Sequence, residues 1–228
     1  MTTKTSLQAP YRFDQVGSLL RTPELKAAHK DFADQKISAS QLETVQQQEI
    51  KKIVAKQVAL GLHAVTDGEF SRSWWHLDFL WGLNGVGKYD YQKSYKFHGQ
   101  KTRTDNAFLT SKISYNPDHP FFKAFKYLNS IVPDGVQAKQ TIPSPSLLFR
   151  DNRSDNAPKF YEHHTDYLND LAQAYHETIQ HFYELGCRYI QLDDTTWAFL
   201  ISKLDETKND PEAQKPFRKI AEDSVYVI

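Results

Sequence analysis

Apolar residues in this chain follow two alternating periods, and the extended stretches end in one kind of rim. Residues 63–66 run into Asp67-Gly68-Glu69, and residues 188–192 run into Asp193-Asp194. The extended start, residues 11–16, ends on Gly17-Ser18. Between these rims the apolar positions recur at steps of three and four, the period of a half-buried helix. Strand–helix alternation of this kind specifies an α/β fold with a parallel sheet. In such folds, sites are built where strands end.

Local signals place the elements. Pro23 suits the first turn of a helix running to about residue 33. Ser38 or Ser40 caps a longer helix carrying Leu42, Val45, Ile53, Val54 and Val58, and Gly61 stops it. Residues 74–83 are aromatic-rich and read as helix. Residues 84–110 are polar and alternating, a β-excursion from the main architecture. A strand is expected over 112–115, a helix over 120–131, and a strand over 136–142 ended by Pro143 and Pro145. A long helix over 157–185 has Phe160, His164, Leu168, Leu171, Tyr175, Ile179 and Phe182 on one stripe. Gly186 ends it, and a last helix begins near Pro211 and continues to residue 228. About five strands can be counted, whereas a closed (β/α)₈ barrel takes about 250 residues and eight strands. The sheet is therefore either open or an incomplete barrel.

Composition excludes several function classes. Lys and Arg number 28 and so do Asp and Glu, a formal net charge of zero. That balance argues against a nucleic-acid footprint and against a polybasic membrane surface. No stretch approaches the roughly 18 apolar residues of a membrane span, and the N-terminus lacks the apolar centre of a leader. A soluble, cytoplasmic protein is expected. One cysteine, Cys187, allows neither an internal disulfide framework nor a site with two cysteine ligands from this chain.

Three tempting motifs fall short. Gly82 to Lys88 has phosphate-loop spacing, but Tyr89 stands where Ser or Thr should hold magnesium, and strand and helix flanks are not expected. His176 and His181 are five apart, about 140° around a helix rather than on one face. His163-His164 reads as a solvated or capping pair at a helix start, and Cys187 as a small buried hydrophobe. The rims say more. Asp-Gly favours turns and Asp193-Asp194 suits a helix cap, which are the plain readings. Two acidic clusters on one rim would also hold an amine, and the Gly17-Ser18 amides would meet a carboxylate. Ammonium plus carboxylate describes an amino acid.

Four ordered motifs carry a resemblance: residues 14–21 (Asp14-Gln15-Val16-Gly17-Ser18-Leu19-Leu20-Arg21), Thr66-Asp67-Gly68-Glu69, Thr141-Ile142-Pro143-Ser144-Pro145, and residues 189–194 ending in Asp193-Asp194. With them the chain resembles the catalytic domain of cobalamin-independent methionine synthase, in its short, methionine synthase II-like form. The resemblance implies a TIM (β/α)₈ barrel, incomplete here at about five of eight strands and forming a single partial-barrel domain over 1–228. It implies an enzyme of methionine biosynthesis, a methyltransferase that moves a methyl group from methyl-folate to the homocysteine thiol, which zinc activates as thiolate. Carried over residue by residue, Gly17 and Ser18 meet the homocysteine carboxylate, and Glu69 and Asp193 hold its ammonium. Asp194 stands beside them in a position the family also makes acidic. Phe149 falls loosely where longer members stack an aromatic ring on the folate.

The departures from the pattern shape the expectation. The family's zinc ligands, a His-x-Cys pair, a Glu and a second Cys, have no counterpart here, and Gln15 stands where relatives commonly have His. The resemblance thus implies an N-terminal part that is inactive alone and needs a complementing polypeptide for the remaining strands. A polypeptide of this kind, with unpaired sheet edges, is expected to be marginally stable. The alternative is a non-catalytic remnant or half-barrel that binds an amino acid or a partner. A third reading is zinc-dependent alkyl transfer to another thiol. Coenzyme M has no ammonium for Glu69 and Asp193 to hold, and a porphyrin would want more arginines than Arg21 and Arg72.

Overall fold

The computed structural model describes residues 11, 14–90, 96–97, 100–101 and 104–228. In chain order the first elements are α1 (Pro23–Ala33), α2 (Ala39–Ala59), β1 (Ala64–Val65), α3 (Leu77–Leu80) and β2 (Asn84–Asp90). Then come β3 (Lys96–Phe97), β4 (Gln100–Lys101), β5 (Asp105–Ser114), α4 (Pro120–Ile131), β6 (Gln137–Ala138) and β7 (Gln140–Pro143). The last are α5 (His164–Glu184), β8 (Ile190–Asp193), α6 (Thr196–Glu206) and α7 (Pro211–Tyr226), with 3₁₀ turns at Pro145–Leu148 and Ala157–Lys159. The chain divides into two compact units. One holds Met1–Trp75, Pro120–Ile142 and His181–Gln191; the other holds His76–His119, Pro143–Gln180 and Leu192–Ile228.

In the first unit, capping residues set the helix starts. Thr22 Oγ1 accepts the Leu25 N–H at 3.2 Å ahead of Pro23 in α1. Ser38 and Gln41 form a reciprocal capping box for α2, which decides between the two expected serines. At the far end of α2 the buried Gln57 amide grips Thr66, accepting its N–H at 3.0 Å and donating to its carbonyl at 2.9 Å. That contact fixes the residue that follows β1. Val54, Val65, Phe70, Phe125, Ile142 and Phe182 are buried in this unit.

The expected strand over 136–142 divides into β6 and β7 because its two edges serve different neighbours. Gln137 N–H donates to His63 O at 2.8 Å and Lys139 N–H to Val65 O at 2.9 Å, pairing β6 in parallel with β1. Gln140 N–H points the other way, to Tyr189 O at 3.0 Å. Farther along, Ser144 N–H reaches Asp193 O at 2.9 Å, so β7 and β8 pair with a constant offset, as parallel strands do.

In the second unit, β2 and β5 form an antiparallel ribbon, the core of the expected excursion. Of that excursion, residues 91–95, 98–99 and 102–103 lie outside the described residues, as do Arg12 and Phe13 of the expected N-terminal stretch. Gly85 and Gly87 of the phosphate-loop look-alike lie in this ribbon. Gly85 has φ 83° at a register shift, and a Cβ there would lie 2.2 Å from Lys112 O.

Two expected helices are shorter than their patterns. Residues 74–83 yield only the single turn of α3, because His119 Nε2 sits 2.9 Å from Phe79 O and Asn116 Nδ2 donates to Gly82 O at 2.8 Å. The helix expected from 157 begins instead at His164. The Asn156 amide bonds both the N–H and the carbonyl of Leu109, at 3.1 and 2.7 Å, and Tyr161 Oη accepts the Ile113 N–H at 2.6 Å. These bonds to β5 hold residues 156–161 out of the helix. α6 was announced in the sequence only by the cap reading of Asp193-Asp194. Among the described residues no helix is long and apolar enough to cross a membrane.

Candidate functional site

In the first unit the Gly17-Ser18 and Asp67-Gly68-Glu69 rims lie together. Thr66 Oγ1 donates to Gly17 O at 3.0 Å, and Leu19 N–H donates to Gly68 O at 3.1 Å. The strand-end turn is left-handed at two successive residues, Gly68 at φ 66° and Glu69 at φ 59°. Asp67 makes this possible, since its Oδ1 accepts the Glu69 N–H at 2.8 Å. Asp67 thus serves the turn, as its Asp-Gly pairing suggests. Left-handed backbone at a residue with a Cβ costs of order 1 kcal/mol and persists where surroundings enforce it.

That turn drives the Glu69 side chain inward, to 3% exposure. Its Oε1 meets Arg72 Nη1 at 3.1 Å and receives the Thr141 Oγ1 hydrogen bond at 3.2 Å. Gly17 forms the wall beside it: a Cβ there would lie 2.9 Å from Glu69 Oε1. Ser18 is exposed next to that wall.

The segment carrying Gly17 is fixed from beneath. Lys139 Nζ, buried under the Tyr189 ring at 5.0 Å, pairs with Asp14 Oδ1 at 2.8 Å and donates to Gln15 O at 2.5 Å. Gln191 Nε2 donates to Val16 O at 2.8 Å. Burial, then the hydrogen bond and charge of Asp14, pushes the Tyr189 hydroxyl up to about 12. The rim's sequence signals did not mark Arg72, Thr141 or Lys139 as functional. Lys139 sits among Gln137, Gln140 and Thr141, and nothing in that run set it apart.

The second unit holds the other expected residues. Asp193 ends β8, and its carbonyl accepts the Ser144 N–H. Asp194 Oδ1 accepts the Thr196 N–H at 2.8 Å, a capping contact at the start of α6, and the Ser146 hydroxyl at 3.2 Å. Its Oδ2 is buried and meets no hydrogen-bond partner among the described residues. Phe149 closes the 3₁₀ turn Pro145–Leu148 and is half-buried.

His181, His164 and the cysteine have local partners. His181 stacks on Phe122 with ring centroids 4.0 Å apart, and His164 Nε2 lies 2.8 Å from Asp223 Oδ2. Cys187 is buried with Sγ 3.4 Å from Tyr189 O, and burial pushes its thiol up. Among the described residues no three His, Cys, Asp or Glu side chains converge on one point. The donors of a thiolate-bound zinc do not fit these residues.

Residues 14–100 match the family model described as the catalytic domain of cobalamin-independent synthase. The uncharacterized Bacillus subtilis protein YxjH is 42% identical over 196 residues, covering 86% of this chain and 51% of YxjH. A 5-methyltetrahydropteroyltriglutamate–homocysteine methyltransferase from Thermotoga maritima is 24% identical over 179 residues, 78% of this chain and 23% of that protein. A candidate vitamin-B12 independent methionine synthase from Listeria monocytogenes superposes with a TM-score of 0.71 at 37% identity, covering 96% of this chain and 62% of that one. The chain spans about half the length of the curated Bacillus relative it matches.

Proposed function

We propose that this chain, a relative of the cobalamin-independent methionine synthases, supplies the homocysteine-binding rim of a methyltransferase of methionine biosynthesis. The observation that carries the reading is the Glu69 carboxylate, buried on a strained turn against Gly17 and fixed by Arg72 and Thr141. A buried, directed carboxylate beside a glycine-walled backbone suits the ammonium and carboxylate of an amino acid. In this reading Glu69 takes the ammonium, the Gly17-Ser18 backbone takes the carboxylate, and the resemblance assigns Asp193 and Asp194 to the same ligand. Phe149 is a weaker assignment, to the folate. The neighbouring strands β1, β6–β7 and β8 are read as part of a barrel wall.

The metal is assigned to a complementing polypeptide, since this chain's donors do not fit it. When bound there, zinc supplies activation of the thiol. The test is methionine formation from homocysteine and methyl-folate when this chain is mixed with a polypeptide matching the remaining part of its Bacillus relative. Zinc-dependent product from the mixture, with none from either part alone, is expected. No product from a mixture that forms a stable complex would contradict the reading.

A second reading, in which the rim binds the amino acid without turnover, accords with the lack of converging His, Cys, Asp or Glu donors among the described residues. Homocysteine binding by a chain that no complement activates would select it.

A further inference from the structure

A buried carboxylate presents its charge in a fixed direction only if its neighbours hold it there. Glu69 Oε1 is held by Arg72 Nη1 at 3.1 Å and by Thr141 Oγ1 at 3.2 Å. Arg72 is held in turn: Nη2 donates to Thr141 O at 2.8 Å, and the guanidinium lies 4.3 Å over the Phe121 ring. The backbone between them is tied as well, because Arg21 Nη2 donates to the carbonyls of Glu69 at 3.1 Å and Arg72 at 2.8 Å. Arg72 is 3% exposed. At such a place an apolar residue of similar volume is often as stabilising as an ion pair, so stability alone explains the pair poorly. Geometry explains it better. The planar fork spans a carboxylate oxygen and a strand carbonyl at once, which a lysine ammonium cannot do in the same fixed plane.

We infer that Arg72, assisted by Thr141, is the positioning residue that aims the Glu69 carboxylate at the ammonium group of an amino-acid ligand. The inference rests on the amino-acid reading of the rim given above. A mere staple between the turn and β7 would fasten the chain equally well, but it would not set the preference for an ammonium-bearing ligand.

That preference is the readout. The full 228-residue chain is titrated calorimetrically, under a phosphine reductant, with L-homocysteine and with 4-mercaptobutanoate, which keeps thiol and carboxylate but lacks the ammonium. The wild-type chain is expected to favour homocysteine by about tenfold or more, the scale of a charged hydrogen bond. Arg72→Gln is expected to bring the ratio to within about twofold, with Arg72→Lys between that variant and wild type. Thr141→Val keeps the ion pair and lowers the ratio several-fold. It carries the test if circular dichroism shows that Arg72→Gln does not fold. Variants that fold and keep the wild-type ratio, even at lower affinity for both ligands, overturn the inference and leave the rim reading standing. A wild-type chain without preference overturns both.

Discussion

The Gly17 backbone lies against the Glu69 carboxylate, so that a methyl group at position 17 would come within 2.9 Å of Oε1 and 3.2 Å of Thr141 Oγ1. Neither neighbour is free to yield, since Glu69 is tied to Arg72 and both are buried. Gly17→Ala is expected to cost about 1–3 kcal/mol through overpacking and to weaken homocysteine binding. Chemical denaturation and calorimetry check the two effects. An alanine variant as stable as wild type would mean that the wall is softer than it looks.

Lys139 and Asp14 form a pair whose side chains are 1% and 12% exposed. Removing one partner leaves the other charge buried and uncompensated, whereas removing both does not. Lys139→Met is therefore expected to destabilise the first unit by about 3–5 kcal/mol, and Lys139→Met with Asp14→Leu to recover most of it. Denaturation midpoints of the single and double variants decide this.

His76 gives the second unit a pH signature. Burial, reinforced by the Arg153 charge, lowers its imidazole from 6.5 to about 3, and Arg153 Nη2 lies 3.3 Å from Nε2. Between those two values the unfolded chain binds a proton that the folded chain refuses. Stability held above pH 6.5 is thus lost as pH falls toward 3, at up to about 1.4 kcal/mol per pH unit. His76→Gln is expected to remove that slope between about pH 6 and 4, measured against wild type so that the carboxylates cancel.

Much of the fold was readable from local chemistry. Pro120–Ile131 and the start of α1 at Pro23 needed only their own sequences, and α2 starts at one of the two expected serines. Elements failed where distant bonds took over. Asn156 spends its amide on Leu109, and nothing in residues 157–163 announces that, so the apolar stripe through Phe160 read as helix. The division of β6 from β7 reflects which neighbour each edge meets, and a single extended run in the sequence carries no record of that. At the proposed rim, Gly17, Ser18 and Glu69 were singled out from their place after expected extended stretches. Arg72 was not, because its role depends on a left-handed Glu69 that turns the carboxylate back toward it.

The central claim is that Glu69 is the ammonium-binding group of an amino-acid site. Its most direct test is the affinity of the chain for L-homocysteine before and after Glu69→Gln, which keeps the shape and removes the charge. The account predicts a loss of about tenfold or more. Equal affinity in the two proteins would contradict it.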